Sequence, residues 1–158
     1  MITANVDELL KSLELYHADA VRRLENMVKG FSYEISVTAV GNTPIGDVET
    51  YLDLYVMRNQ SNPEFEIRAG LAKGNWQVSL DGTIEFQNVY SGTTALSAAE
   101  THLMNYQLGE TVLIGNNLLY IGRLENGSSQ QAPEGIMQPT LDNIMNTHKV
   151  NLVRYYRE

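Results

Sequence analysis

The chain has no cysteine. That excludes disulfides, thiolate metal sites and cysteine nucleophiles, and it suits a reducing compartment. It is also poor in base. Eleven Lys and Arg stand against 19 Asp and Glu, a formal charge of −8. No basic stripe interrupts the acid, and tight general binding to nucleic acid needs clustered cations to displace counterions. Arg22, Arg23 and Lys29, and later Arg154 and Arg157, are the nearest approach to a basic cluster and read as solvated faces. Long apolar runs are missing as well: no stretch approaches the ~18 residues of a membrane span. The first residues, MITANVDELL, carry acid where a signal peptide needs base. The expectation is a protein kept in the cytoplasm or in something assembled there, with no membrane partner.

Catalytic signatures are equally scarce. His17, His102 and His148 are all the histidines, and no two stand at the i, i+3 or i, i+4 spacing that places metal ligands on one helix face. Gly41 to Gly46, GNTPIG, lacks the Lys and Ser/Thr of a phosphate loop and reads as a turn. No G-x-S-x-G elbow gives a serine nucleophile context. Glu125 and Glu134 could be imagined as a carboxylate pair, but solvation or subunit salt bridges account for them better in an acidic chain. The expectation is no enzyme, no cofactor and no metal.

What is present is a foldable domain. With 158 residues, of which 43% are hydrophobic, the chain can bury a core without staples and reads as one domain over residues 1–158. Asn5 or Asp7 can cap a first helix. Leu9, Leu13, Tyr16, Ala20, Leu24, Met27, Phe31, Ile35 and Ala39 then recur in steps of three and four. This predicts one long helix from about Val6 to Val40, with a possible bend at Gly30. At ~1.5 Å per residue it is about 50 Å long, so part of it must project or pack on a neighbour.

Gly41 to Gly46 ends that helix. Asp47 to Arg68 resists assignment: VETYLDLYVM suits a short helix or a strand, and the segment reads as an excursion loop or hairpin. Asn75 to Leu80 alternates as a strand with Trp76, Val78 and Leu80 on one face. Trp76 reads as core, with a contact anchor as the lesser reading. Asp81-Gly82 signals a hairpin turn with Thr83 to Val89 returning. Thr94 to Tyr106 is helical, with Leu96, Ala99, Leu103 and Tyr106 on one face and Ser97 or Thr94 as cap. Thr111 to Gly115 is a short buried strand and Leu118 to Leu124 one or two helical turns. Gly135 to about Tyr156 forms the last helix, with Pro139 tolerated in its first turn. The predicted class is α+β, a small, mostly antiparallel sheet packed with a long N-terminal, a middle and a C-terminal helix.

The most distinctive stretch is Tyr120 to Met137, YIGRLENGSSQQAPEGIM. From Gly127 to Gly135 nothing apolar is larger than Ala or Pro, so the segment reads as an exposed, structured loop suited to contact rather than chemistry. The candidate interface is Arg123, Glu125, Gly127, Ser128, Ser129, Gln130, Gln131, Pro133 and Gly135.

The string TVLIGNNLLYIGRLENGSSQQAPEGIM resembles phage neck and tail-completion proteins of the minor tail protein Z-like family. The resemblance lies in Asn116 and Tyr120, then Arg123, Glu125, Gly127, Ser129, Gln131, Ala132, Pro133 and Gly135, with Ile136 where Met is usual. An upstream pattern of that family is divided here: Thr43-Pro44-Ile45-Gly46-Asp47 resembles its start and Gly74 to Leu80 its end. Residues 47–68 between them read as an insertion. The resemblance implies a structural virion protein rather than an enzyme. It implies a homo-oligomeric ring of six copies joining the portal-side connector to the tail. DNA then passes through the lumen without specific binding, and an acidic lumen suits that passage. A tail terminator or head-completion adaptor is the alternative within that class. A small-molecule binding domain or an unrecognised enzyme is the alternative outside it.

Overall fold

A computed structural model describes residues 6–46 and 70–149. The excursion expected over residues 47–68 and the last turns expected up to Tyr156 lie outside them. Helix α1 runs Val6–Asn42, 37 residues without a break at Gly30. Asp7 and Glu8 in its first turn favour the positive end of the helix dipole. It ends two residues beyond the expected Val40. There the Thr43 amide and hydroxyl both donate to the Ala39 carbonyl, at 3.0 and 2.7 Å. Pro44 then has no N–H with which to continue.

The chain resumes at a one-turn helix, α2 (Leu71–Gly74), and enters strand β1 (Trp76–Ser79). Helix α3 follows at Gly92–Met104, then strand β2 at Leu113–Asn116, the short helix α4 at Ile121–Glu125 and helix α5 at Met137–His148. Ser91, not Ser97 or Thr94, caps α3 by accepting the Thr94 amide at 3.4 Å. Lys149 takes a left-handed conformation, φ 53°, and closes α5 at His148.

The two strands form an antiparallel pair with Trp76 opposite Asn116 and Ser79 opposite Leu113. The expected partner of β1 was residues 83–89, and that pairing does not form. The turn signal at Asp81-Gly82 is real, but its chemistry is an aspartate turn. The Asp81 carboxylate accepts from the Ser79 hydroxyl at 2.6 Å and from the Thr83 amide and hydroxyl at 2.9 and 2.7 Å. The returning segment then follows β1 through side chains rather than a backbone ladder. Gln77 donates to the Glu85 carbonyl, and the Gln87 amide donates to Asn75 Oδ1. β2 also differs from expectation, since it is half-buried to exposed rather than buried.

The core gathers where the C-terminal half of α1 meets β1, α3 and α5. Ala39, Val40, Trp76 and Ile136 pack together, with Leu96, Ile114 and Met137 around them. A second cluster joins Leu71, Ala72 and Leu118, and a third Val78, Ala99 and Leu103. Trp76 is core, as its alternation predicted, and its indole N–H donates to Thr43 Oγ1 at 2.7 Å. Among the described residues no buried side-chain polar atom lacks a partner. The fold is α+β, as the order of elements predicted.

Candidate interface at the 123–135 corner

The segment from Arg123 to Gly135 is a self-supporting corner between α4 and α5. Its first half is a Schellman close. The Gly127 amide donates to the Leu124 carbonyl at 3.0 Å, and the Ser128 amide to the Arg123 carbonyl at 3.1 Å. Gly127 sits at φ 75°, and a β-carbon there would lie 2.2 Å from the Pro133 carbonyl oxygen. A tight turn follows, in which the Ala132 amide donates to the Ser129 carbonyl and the Gln131 amide to the Ser129 hydroxyl. Gly135, at φ 81°, then passes so close to α4 that a β-carbon would meet the Glu125 carbonyl oxygen at 2.3 Å.

Glu125 completes the corner. Its carboxylate accepts the Ile136 and Met137 amides at 3.1 Å each. These are the otherwise unpaired N–H groups at the start of α5, and Ile136 offers no side-chain cap of its own. A negative group at a helix N-terminus is also electrostatically favoured. The spacing Glu125, Gly127, Ala132, Pro133, Gly135 is therefore the recipe for one rigid corner. The carboxylate-pair idea for Glu125 and Glu134 fails on the same ground, because Glu125 is engaged on the backbone.

The nine candidate residues divide. Arg123, Ser128, Gln130, Gln131 and Pro133 are exposed and available for contact. Glu125, Gly127 and Ser129 are half-buried, and Gly135 is buried. The corner's interior docks on α1: Thr140 donates to the Ile136 carbonyl at 2.7 Å and accepts from Asn42 Nδ2 at 3.1 Å.

That docking brings the Thr43-Pro44 turn beside the Gln131 to Gly135 stretch, some ninety residues along the chain. Between them lies an open cleft of about 490 Å³ lined by Pro44, Ile45, Lys73, Ala132, Pro133 and Pro139, with Glu134 also on its wall. Local sequence assigns 41–46 to a turn and gives no sign that Lys73 and Pro139 face it. A second groove, about 310 Å³, runs between β1, residues 83–87 and α3. At its end the Ser79 hydroxyl, with the Thr83 donors, pulls the Asp81 carboxyl down to about 2.

The histidines do not converge. His17 is exposed on α1 and His102 is exposed beside the second groove. His148 meets Glu34 Oε2 at 2.7 Å and sets its ring edge-on to Phe31 at 4.9 Å. Among the described residues no group of three or more His, Asp or Glu is placed to hold a metal ion. No helix among them is long and apolar enough to cross a membrane. No protein-family model, curated protein or solved structure matches this chain.

Proposed function

We propose that the protein is a structural component of a phage neck, a ring subunit that joins the head connector to the tail around the DNA channel. The observation that carries the assembly half of this reading is the N-terminal half of α1. Every residue from Val6 to Ala18 is exposed. Val6, Leu9, Leu10, Leu13 and Tyr16, which share one face at helical spacing, each show more than half of their surface. A continuous apolar patch of that kind on one helix marks a surface that another molecule covers. The neck half rests on the motif residues, and the corner they build supports it: a rigid elbow that keeps five polar or small side chains on the outside. The net charge of −8 suits a lumen that lets DNA slide without gripping it.

In this reading the protein performs no catalysis and carries no cofactor. Its partners are further copies of itself, a connector on the portal side and tail proteins below. Deleting its gene from a phage that encodes it is expected to leave DNA-filled heads and free tails. Adding the purified protein to such a lysate is expected to restore joined, infectious particles. Normal virions from the deletion strain would end the neck reading.

A further inference from the structure

Asn126 is the one asparagine of the chain that a glycine follows. At such a step asparagine loses ammonia most readily, because glycine leaves the attacking nitrogen uncrowded and its peptide free to turn. Asn126 is exposed, and its carboxamide makes no hydrogen bond among the described residues. The restraint lies in the backbone. The Gly127 nitrogen must give up its proton to attack, and its N–H donates to the Leu124 carbonyl at 3.0 Å. The peptide plane must also turn well away from the ψ of 15° that Asn126 holds as the cap of α4. That turn breaks the bond from the Ser128 amide to the Arg123 carbonyl and pulls Gly127 off Pro133, so it requires the corner to open.

We propose that Asn126 is a latent deamidation site, held shut by the folded corner, and that its reaction fixes the corner open in any molecule where it has come undone. The Gly127 nitrogen gives its proton to solvent and attacks Asn126 Cγ. An N–Cγ bond forms, the Cγ–Nδ2 bond breaks, and ammonia leaves with a proton taken from water. Water then opens the cyclic imide at either carbonyl, giving aspartate or isoaspartate. Overall a water is consumed and an ammonia released, and no oxidant or metal is needed. Either product places a new carboxylate next to Glu125. Isoaspartate also lengthens the main chain by a carbon, just before the residue that must fit against Pro133. With that extra length the Leu124 and Arg123 carbonyls do not both recover their donors. Glu125 is the fastening, since its bonds to the Ile136 and Met137 amides tie the far end of the corner back to α4. Opening is thus a local event with its own free energy, and the reaction makes a reversible opening permanent. None of this depends on what the protein joins.

Trypsin cuts after Arg123 and Lys149 and releases the Asn126 step in one peptide, where mass and chromatography tell asparagine, aspartate and isoaspartate apart. At neutral pH the full chain is expected to deamidate at Asn126 about ten-fold or more slowly when folded than when unfolded in urea. Glu125→Ala is expected to react about ten-fold faster than the native chain, in step with the loss of a helix cap. A second measurement needs no variant. Across urea concentrations below the unfolding midpoint, deamidation and hydrogen exchange of the Gly127 amide should rise by the same factor. The isoaspartyl form, purified and returned to buffer, should show an unprotected Gly127 amide while the α1 amides around buried Ala39 stay protected. Equal rates in the folded and unfolded chain would overturn the proposal, as would a Gly127 amide whose exchange does not follow the reaction. A folded Glu125→Ala chain that reacts at the native rate would overturn Glu125 as the fastening. Native protection of the Gly127 amide in the isoaspartyl form would overturn the permanent opening.

Discussion

The two halves of α1 carry the same pattern and meet different fates. From Phe31 to Asn42 the apolar stripe descends into the core, where Ala39 is fully buried and Val40 nearly so. From Val6 to Leu24 the same stripe faces outward, with Leu9, Leu13, Tyr16 and Leu24 at 56, 55, 77 and 45% exposure. Hydrophobic periodicity fixes that a segment is a helix and which face is apolar. It carries no information about whether the cover comes from the same chain. One half of α1 packs into the core, and the other turns its apolar stripe outward.

The largest effect is expected on the buried side. Trp76→Ala removes the indole from the cluster of Ala39, Val40 and Ile136 and leaves the Thr43 hydroxyl without its donor. A loss of about 3–5 kcal/mol is expected, read as the change in urea midpoint. Trp76→Phe keeps most of the apolar area and loses the hydrogen bond, so about 1–3 kcal/mol is expected there. Equal losses in the two variants would mean that the hydrogen bond, not the packing, anchors this end of α1.

The next effect lies in the corner that faces the cleft. Glu125→Ala strips the start of α5 of its acceptor and should cost about 1–2 kcal/mol, as lost helix caps do. Gly135→Ala forces a β-carbon onto the Glu125 carbonyl oxygen at a left-handed position, and about 1–3 kcal/mol is expected. A substitution at Gly135 is therefore no neutral probe of a contact surface, although composition alone made the whole loop look exposed. Gln130→Ala and Pro133→Ala alter exposed side chains and test contact without that cost. Full stability of Gly135→Ala by thermal melt would count against the corner as described.

How much of this was legible follows from the range of each interaction. Helix α1, the alternation around Trp76 and the proline-bearing start of α5 are local patterns and were readable. The Asp81-Gly82 turn was readable as well, but the partner of β1 was not. Strand pairing is a choice among distant segments, and the Asn75 and Gln77 side chains hold residues 83–89 beside β1 without a ladder. The motif residues stood out as a string, but their division of labour did not. Whether Glu125 faces solvent or caps a helix 11 residues later depends on a corner that only folding creates. The cleft was hidden for the same reason, since its walls come from residues 41–45, 73 and 131–139.

A smaller, pH-dependent effect is expected at the end of β1. Hydrogen bonds from Ser79 and Thr83 favour the charged Asp81 carboxylate and hold its pKa at about 2, below its ordinary value of 3.8. A group depressed on folding contributes stability that is complete above its unfolded pKa. That contribution is lost as pH falls from about 4 through about 2. Thermal midpoints measured between pH 5 and pH 2 should therefore fall more steeply for the native chain than for Asp81→Asn. Parallel curves for the two proteins would show that the turn does not depend on the charge.

The smallest expected effect on stability is the one that tests the comparison most directly. Val40→Ala removes buried methyl groups from the lower half of α1 and should cost about 1–2 kcal/mol. Leu13→Ala removes a larger apolar group from the upper half, yet it should change the stability of the isolated chain by less than about 0.5 kcal/mol. Alanine is the better helix former, and Leu13 belongs to none of the core clusters among the described residues. The order should reverse when association is measured. Sedimentation should find Leu13→Ala shifted toward monomer, while Val40→Ala, where it remains folded, associates as the native chain does. If Leu13→Ala instead destabilises the monomer as much as Val40→Ala, the upper half of α1 is covered by its own chain, and the contrast between the two halves fails.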